Sequence, residues 1–172
     1  NALCDDMLPD HSCDHSIRRM TWHPHRNCRE WVQFDFPEPR SIDKARVYWF
    51  DDEPIKGACR PPTSWQLLYL DNADGQWHPV VTSEPFTVHK DRFNAVTFAA
   101  VTTRALRIDV QLQERFSSGV LEWQVAAPGE KYPDLTKIDL SATPVDDPQA
   151  GRRWTASYAA LTHKGRSNKL VN

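Results

Sequence analysis

Between residues 31 and 70, three segments alternate between apolar and polar residues with a period of two. These segments are residues 31–36, 44–50 and 64–70, and aromatic or β-branched side chains fill most of their apolar positions. Successive side chains of a β-strand point to opposite faces of the sheet, so this period is typical of strands with one buried face. Three such strands in so short a stretch predict a β-sandwich or a β-barrel.

Further strands are predicted at residues 77–81, 93–98, 105–112 and 120–126. Within this last but one strand, residues 106–112 have apolar even positions and polar odd positions, which predicts an antiparallel strand with one solvated face. No long stretch before the C-terminal tail carries a helical apolar stripe. We therefore predict an all-β fold, an antiparallel jelly-roll-like β-sandwich. The residues predicted to form its core are Trp49, Trp65, Leu67, Trp77, Phe98, Leu106, Ile108 and Trp123.

Charge and motif content exclude several classes of function. The net charge of −2 provides no basic field for nucleic acid or anionic lipid. No apolar run approaches the roughly 20 residues that span a bilayer, so we expect no membrane partner either. The sequence lacks a Gly-x-Ser-x-Gly elbow and a His-Glu-x-x-His helix, and the adjacent carboxylates of Asp51 and Asp52 should point apart, so we predict no enzymatic activity. Because the chain starts at Asn1 without a signal peptide, we expect a fragment or a processed product.

The cysteines do not indicate a disulfide-stapled scaffold, because four in 172 residues is a low density. Two interpretations stay open for Cys4, Cys13 and Cys28, namely one disulfide among them or free thiols, whereas Cys59 is predicted to be a buried free thiol. The region 4–28 holds seven His and Cys residues, a composition that suggests zinc. It contains no Cys-x2-Cys pair, however, and structural zinc sites favour closely spaced pairs. We therefore interpret this region as a polar loop.

The character of the chain changes after residue 126. Residues 127–151 contain four prolines among scattered acidic residues and are predicted to form an extended linker. The remainder, residues 152–172, includes alternating Trp154, Ala156 and Tyr158, which favour a strand, with a short helix as the alternative. The predicted organisation is a β-sandwich over 1–126, a linker over 127–151 and a C-terminal segment over 152–172.

Several sequence blocks resemble the discoidin family, also called the factor V/VIII C-type or galactose-binding-like modules. The blocks are EWVQFDFP at 30–37, RVYWFDD at 46–52 and CRPPTSW at 59–65. The last two blocks resemble sequences in modules that are appended to bacterial glycoside hydrolases similar to β-L-arabinofuranosidases. The resemblance implies a secreted or periplasmic bacterial protein and an accessory module that binds a glycan and sits beside a hydrolase catalytic domain. The alternative that it leaves open is a structural buttress that packs on a catalytic domain or a partner chain without binding sugar.

The resemblance also implies a circularly permuted order. Discoidin modules open with a strand of the type TASY, followed by a turn resembling Ala-Leu-Asn-Asp-Gly. This chain begins at that turn, with ALCDD at 2–6, and carries WTASY at 154–158. A sandwich that lacks one strand exposes an unpaired edge. We therefore predict that a strand at 153–161 supplies the missing first strand, either in its own chain or in a neighbouring copy, with residue 172 close to residue 1.

A calcium site is predicted at the N-terminal loop. The loop holds several hard oxygen donors of the kind that calcium prefers. The resemblance implies a calcium ion beneath this loop, with Glu122 of the last strand matching the family's glutamate and Asp5 matching its Asp-Gly turn. Asp6 replaces the glycine of that turn. The predicted metal ligands are Asp5, Ser12, Asp14 and Glu122.

Sugar binding requires an aromatic ring that packs on the apolar face of the sugar and charged or amide groups that bond its hydroxyls. Family members bind through loops at one end of the sandwich, so the candidates are taken from the corresponding loops. For each of them a structural role is the alternative, because Trp22 can belong to the core and Arg60 can simply pair with an aspartate. The predicted ligand-binding residues are Trp22, His23, Asp51, Arg60 and Phe116.

Overall fold

The computed structural model describes residue 3 and residues 5–136, 153–157, 159–163 and 166–170. This part of the chain contains nine β-strands and one short 3₁₀ turn, Glu53–Ile55, and no helix in it is long and apolar enough to cross a membrane. The prediction of an all-β fold is confirmed. The strands are β1 (Arg19–Thr21), β2 (Arg29–Phe50), β3 (Ser64–Asp71), β4 (Trp77–Pro79), β5 (Phe93–Gln111), β6 (Gly119–Ala126), β7 (Arg153–Ala156), β8 (Ala159–His163) and β9 (Arg166–Leu170).

Two long strands, β2 and β5, run through both layers of the sandwich. The sequence predicts a break in each of them, at 37–43 and at 99–104. The structure instead keeps them continuous but bent, with shifts in the β2–β5 register at Asp35/Arg40 and Ile42/Lys44. Pro37 interrupts the ladder at this corner, because proline has no N–H to donate.

The halves of these bent strands belong to different layers. The N-terminal half of β2 pairs with the C-terminal half of β5 and with β7, and β3 and β4 extend that layer beyond β5. The C-terminal half of β2 pairs with the N-terminal half of β5 and with β6, and β1, β8 and β9 extend the second layer. All of these pairings are antiparallel, as the alternating sequence pattern predicts.

The core between the two layers is aromatic. The ring of Phe34 stacks on that of Trp123 with 4.3 Å between centroids, and Trp49 meets Trp65 edge-on at 5.7 Å. Burial confirms the predicted core residues with one exception. Trp77 is half-buried and lies outside the core, where its ring packs 4.1 Å from the Arg107 guanidinium.

The error at Trp77 has a simple cause. Its strand, β4, has only three residues, ends at Pro79 rather than at residue 81, and is the last strand of its layer. In a run of three residues the alternating pattern does not show which side chains face the core. An aromatic ring on an edge strand can pack on an arginine side chain instead of entering the core.

The first part of the predicted linker lies against the sandwich. The Tyr132 ring packs 4.3 Å from the Arg46 guanidinium, and the Thr136 amide donates to the Asp6 carbonyl at 2.8 Å. Residues 137–152, like residues 1 and 172, lie outside the described residues, so the predicted closeness of the two termini cannot be read from the structure.

The C-terminal segment contains three strands, and the single strand predicted at 153–161 is divided between β7 and β8. β7 pairs with the N-terminal half of β2 and β8 pairs with β1, both within the same chain. Ser157 follows β7, and its Oγ accepts the Trp31 amide at 2.9 Å. The division into a module, a linker and a strand-supplying segment stays a prediction.

Candidate functional site

Three loops meet at one end of the sandwich because β2 both begins and ends there. Backbone hydrogen bonds connect them: the Trp22 amide donates to the Ser118 carbonyl at 3.0 Å, and the Arg60 amide donates to the Ser117 carbonyl at 2.9 Å. We name them the first loop (22–28), the second loop (51–63) and the third loop (112–118), and together they form the loop end of the molecule.

Arg60 is fixed within the second loop and covered by the third. Its Nη1 donates to the carbonyls of Cys59 at 2.6 Å and Gly57 at 3.1 Å, and lies 3.5 Å from Oδ1 of Asp52. The guanidinium carbon lies 4.4 Å from the centre of the Phe116 ring. Nη2 makes no hydrogen bond to any residue that the structure describes. The structure therefore holds a cation in a fixed position against an aromatic ring, with the Arg60 side chain 12% exposed.

Asp51 has a supporting role at the same end. Its side chain is almost fully buried, and Oδ1 accepts the Glu53 amide at 2.8 Å. Lys90 lies 2.7 Å from Asp51 Oδ2 and 2.5 Å from Glu53 Oε2. These contacts raise the pKa of Lys90, and the same lysine lowers the pKa of Glu53. Sequence reasoning missed Lys90, because nothing in the sequence places residue 90 beside a carboxylate 39 positions earlier.

The two candidates of the first loop differ in exposure. Trp22 is fully buried in the core, and its Nε1 donates to the Trp31 carbonyl at 3.3 Å. Its ring therefore has no surface for a ligand, which is the structural alternative that the sequence left open. His23 is exposed at the start of the loop. The structure thus brings Arg60, Phe116 and Asp51 into contact or near-contact and places His23 on the same end.

A second polar centre surrounds Glu122 on the outer face of β6. Glu122 is fully buried, and neither of its carboxyl oxygens has a hydrogen-bond partner within the described ranges. Burial raises its pKa well above the ordinary value, and the neighbouring charges of Asp5 and Asp6 raise it further, while backbone amides of the same two residues act in the opposite direction. Burial also raises the pKa of Asp5. A buried carboxyl group with two further carboxyl groups beside it is stabilised either by protonation or by a cation.

Asp6 contributes more to this centre than the sequence suggested. Its φ of 54° is a left-handed backbone conformation that favours glycine, and aspartate tolerates it better than most residues. Its Oδ1 accepts Gln124 Nε2 at 3.0 Å, which ties the turn to β6. Asp6 therefore adopts a conformation that favours glycine and also brings a carboxylate to this centre.

The other two predicted metal ligands make different contacts. Ser12 and Asp91 form reciprocal bonds, with the Ser12 amide donating to Asp91 Oδ1 at 2.6 Å and the Asp91 amide donating to Ser12 Oγ at 2.8 Å. Asp14 Oδ1 accepts the Ser16 amide at 2.8 Å. The structure therefore brings Asp5 and Glu122 together, whereas Ser12 joins the N-terminal loop to Asp91 and Asp14 holds its own loop.

Residues 10–122 match the model of the F5/8 type C domain. The chain belongs to the F5/8 type C domain family. The matched region begins in the N-terminal loop, contains the whole loop end and finishes at Glu122, so both polar centres lie within or beside it. The segment 153–170 lies outside the match.

Three solved structures illustrate what this F5/8 type C domain is similar to. A structure of the Streptococcus pneumoniae β-galactosidase BgaA is 20% identical, with a TM-score of 0.53 over 68% of this chain and 84% of that chain. Chitosan-binding module 1 of a chitosanase/glucanase from Paenibacillus sp. IK-5 is 14% identical, with a TM-score of 0.45 over 68% and 76% of the two chains. CpGH89CBM32-5 from Clostridium perfringens, in complex with GalNAc-β-1,3-galactose, is 9% identical, with a TM-score of 0.49 over 66% and 78%.

Proposed function

We propose that this F5/8 type C domain is a non-catalytic carbohydrate-binding module, accessory to a bacterial glycoside hydrolase, that binds a neutral glycan at its loop end. The observation that carries the proposal is the packing of the Arg60 guanidinium against the Phe116 ring where the three loops meet. A half-buried phenyl ring offers a flat apolar surface to the C–H face of a sugar, and an arginine donor fixed beside it can bond a hydroxyl group. The sequence resemblance supports a secreted or periplasmic location.

Local charge favours a neutral glycan over an acidic one. Three carboxylates, those of Asp51, Asp52 and Glu53, surround the two cations of Arg60 and Lys90, which gives a formal sum of 2 − 3 = −1. An acidic sugar would bring another negative charge to this cluster. Neutral hydroxyl groups can instead donate to the carboxylates and accept from Arg60.

A calcium ion would occupy the centre around Glu122, with Glu122 and Asp5 as ligands and Asp6 beside them. The two unpartnered buried oxygens of Glu122 support this assignment, since calcium is bound by oxygen donors and offsets their charge. The ion would act structurally, by joining the N-terminal turn to β6, and it would stabilise the folded state by mass action. Ser12 and Asp14, the remaining sequence candidates, would hold the adjoining loop.

The test is binding of neutral oligosaccharides, screened on a glycan array and measured by titration calorimetry. We expect a dissociation constant on the order of 0.1–1 mM, because a shallow site with few buried polar contacts binds weakly. Arg60→Ala and Phe116→Ala should each abolish binding while the circular-dichroism spectrum stays unchanged. Arg115→Ala is the matched control, since Arg115 is exposed in the same loop. Unchanged binding by both site variants would contradict the proposal and favour the structural buttress.

A further inference from the structure

Three side chains with different metal-binding atoms converge where the first loop leads into β2. His25 Nδ1 lies 2.5 Å from Glu30 Oε1, and the Cys28 thiol donates to the same oxygen at 3.4 Å. The three potential ligand atoms all lie within 4.8 Å of one another. Glu30 is buried, Cys28 is half-buried and the His25 side chain is 42% exposed, so the cluster opens to solvent on its histidine side.

The chemistry of these atoms selects a particular class of metal. An imidazole nitrogen, a thiolate sulfur and a carboxylate oxygen are the three ligand types of zinc and of similar divalent transition metals. A thiolate is a soft ligand that calcium and magnesium do not favour. We propose that His25, Cys28 and Glu30 form a binding site for zinc or a similar divalent transition-metal ion, separate from the calcium centre around Glu122.

The distances are close to those that a tetrahedral ion requires. Metal–ligand lengths of about 2.0 Å to nitrogen or oxygen and 2.3 Å to sulfur place neighbouring ligand atoms roughly 3.3–3.6 Å apart. The distance from Cys28 to Glu30 is already 3.4 Å. His25 has to move away from Glu30, and it is the most solvent-exposed side chain of the three.

The buried carboxylate is oriented from its other side. Ser157 Oγ donates to Glu30 Oε2, so the hydroxyl and the cluster use different oxygens of the same carboxylate. Partners of this kind orient a ligand and are a usual feature of metal sites. The ion would therefore bind Oε1 while Oε2 keeps its bond to the C-terminal segment, with water as the fourth ligand.

Charge also supports an ion at this position. A thiolate and a carboxylate together carry two negative charges, which a divalent cation neutralises. Metal binding releases the thiol proton to solvent, because only the thiolate is a ligand, so the apparent affinity should fall as the pH decreases.

The spacing of His25, Cys28 and Glu30 in the sequence does not predict this cluster. The His and Cys residues of 4–28 contain no close cysteine pair, so their spacing did not predict zinc. The third ligand is a glutamate at the start of β2, and the strand direction that turns it towards His25 is visible only in the fold.

The test is titration of the full chain with Co²⁺, whose thiolate charge-transfer absorption in the near ultraviolet reports a bound cysteine. We expect one ion per chain, with tetrahedral-type visible bands that disappear when Zn²⁺ displaces the cobalt. Cys28→Ser should remove the charge-transfer absorption, and Glu30→Gln should weaken cobalt binding. Cys13→Ser is the matched control, because Cys13 is the other half-buried free thiol of the described chain and should leave the spectrum unchanged.

Three outcomes would overturn the assignment. The first is a wild-type titration with no thiolate–cobalt absorption. The second is absorption that survives Cys28→Ser but is lost in Cys13→Ser, which would place the metal elsewhere. The third is displacement of cobalt by Ca²⁺ as readily as by Zn²⁺. Thermal unfolding supplies an independent readout: excess Zn²⁺ should raise the Tm of the wild type and of Cys13→Ser, but not that of Cys28→Ser.

Discussion

The Arg60 guanidinium lies 4.4 Å from the centre of the Phe116 ring, and this contact joins the second loop to the third. The arginine is held by backbone carbonyls on one side and by the ring on the other, so its position does not depend on a ligand. A site built in this way loses little side-chain entropy on binding.

Arg60→Lys should weaken glycan binding by roughly tenfold or more, because the loss of one charge-assisted hydrogen bond costs about 1.5–3 kcal/mol. A lysine keeps the charge, but its ammonium group is not planar, so it cannot stack on the Phe116 ring or donate two parallel hydrogen bonds as a guanidinium does. The free energy of unfolding should fall by only about 1 kcal/mol, the scale of a cation–π contact. Calorimetry and urea denaturation measure the two effects, with Arg115→Lys as the control. Equal binding by Arg60→Lys and the wild type would show that only the charge matters.

Glu122 should make the stability of the metal-free protein depend on pH. Its folded pKa is raised above the ordinary 4.5, so above that pH the folded state binds more protons than the unfolded state. Stability should therefore fall as the pH rises from about 4.5 towards the folded pKa, by at most about 1.4 kcal/mol per pH unit for this group. Asp5 acts in the same direction. Denaturation at a series of pH values in a chelator measures the slope.

Calcium should remove this pH dependence, because the ion stabilises the ionised carboxylates. Glu122→Gln should be more stable than the wild type at neutral pH in chelator, and its Tm should not respond to calcium. Asp109→Asn is a useful control, since burial also raises the pKa of this aspartate but it lies on β5, in the other layer. A wild type whose Tm is the same in chelator and in calcium would contradict the calcium site.

Lys90→Met should lower the free energy of unfolding by about 1–3 kcal/mol, because it leaves the buried Asp51 carboxylate without its closest cation. Arg60 remains 3.8 Å away and limits the loss. The double variant Lys90→Met/Asp51→Asn should recover part of the stability, since no buried charge is then uncompensated. Lys131→Met, an exposed lysine, is the control in urea denaturation. A Lys90→Met protein as stable as the control would show that the ion pair contributes nothing.

Deletion of residues 152–172 should destabilise the domain by about 3 kcal/mol or more, because β2 loses its pairing with β7 and the core loses the buried side chain of Ala156. A shorter deletion of 166–172 removes β9, whose one strand partner among the described residues is β8, and should cost less. Thermal unfolding compares the two. A protein ending at residue 150 with unchanged stability would refute the idea that the C-terminal segment completes the sandwich.

The sequence predicted the core well and the corners poorly, for physical reasons. Trp49 and Leu67 lie in long alternating runs, where the period of two determines which face is buried. Trp77 lies in a strand of three residues, where it does not. The bends of β2 and β5 were read as strand ends, because proline and polar residues interrupt the pattern at a corner as they do at a loop.

The candidate site was predictable only in part. Arg60 and Phe116 could be chosen because the family resemblance indicates which loops form the binding end. Lys90 and Ser157 could not, since their roles arise from contacts with residues 39 and 127 positions away along the chain. Trp22 was ambiguous for another reason: a tryptophan at the start of a loop can turn either way, and here its N–H finds a carbonyl inside the protein.

The bent course of β2 and β5 gives the two ends of the domain different tolerance to change. At the loop end, inserted residues can extend outward without disturbing any strand pairing. At the corner end, one added residue within β2 would shift the remaining strand by half a period and turn its buried face outward. Variation in length is therefore confined to the end that carries Arg60 and Phe116, so new specificities can be introduced there, by selection or by design, while the scaffold stays the same.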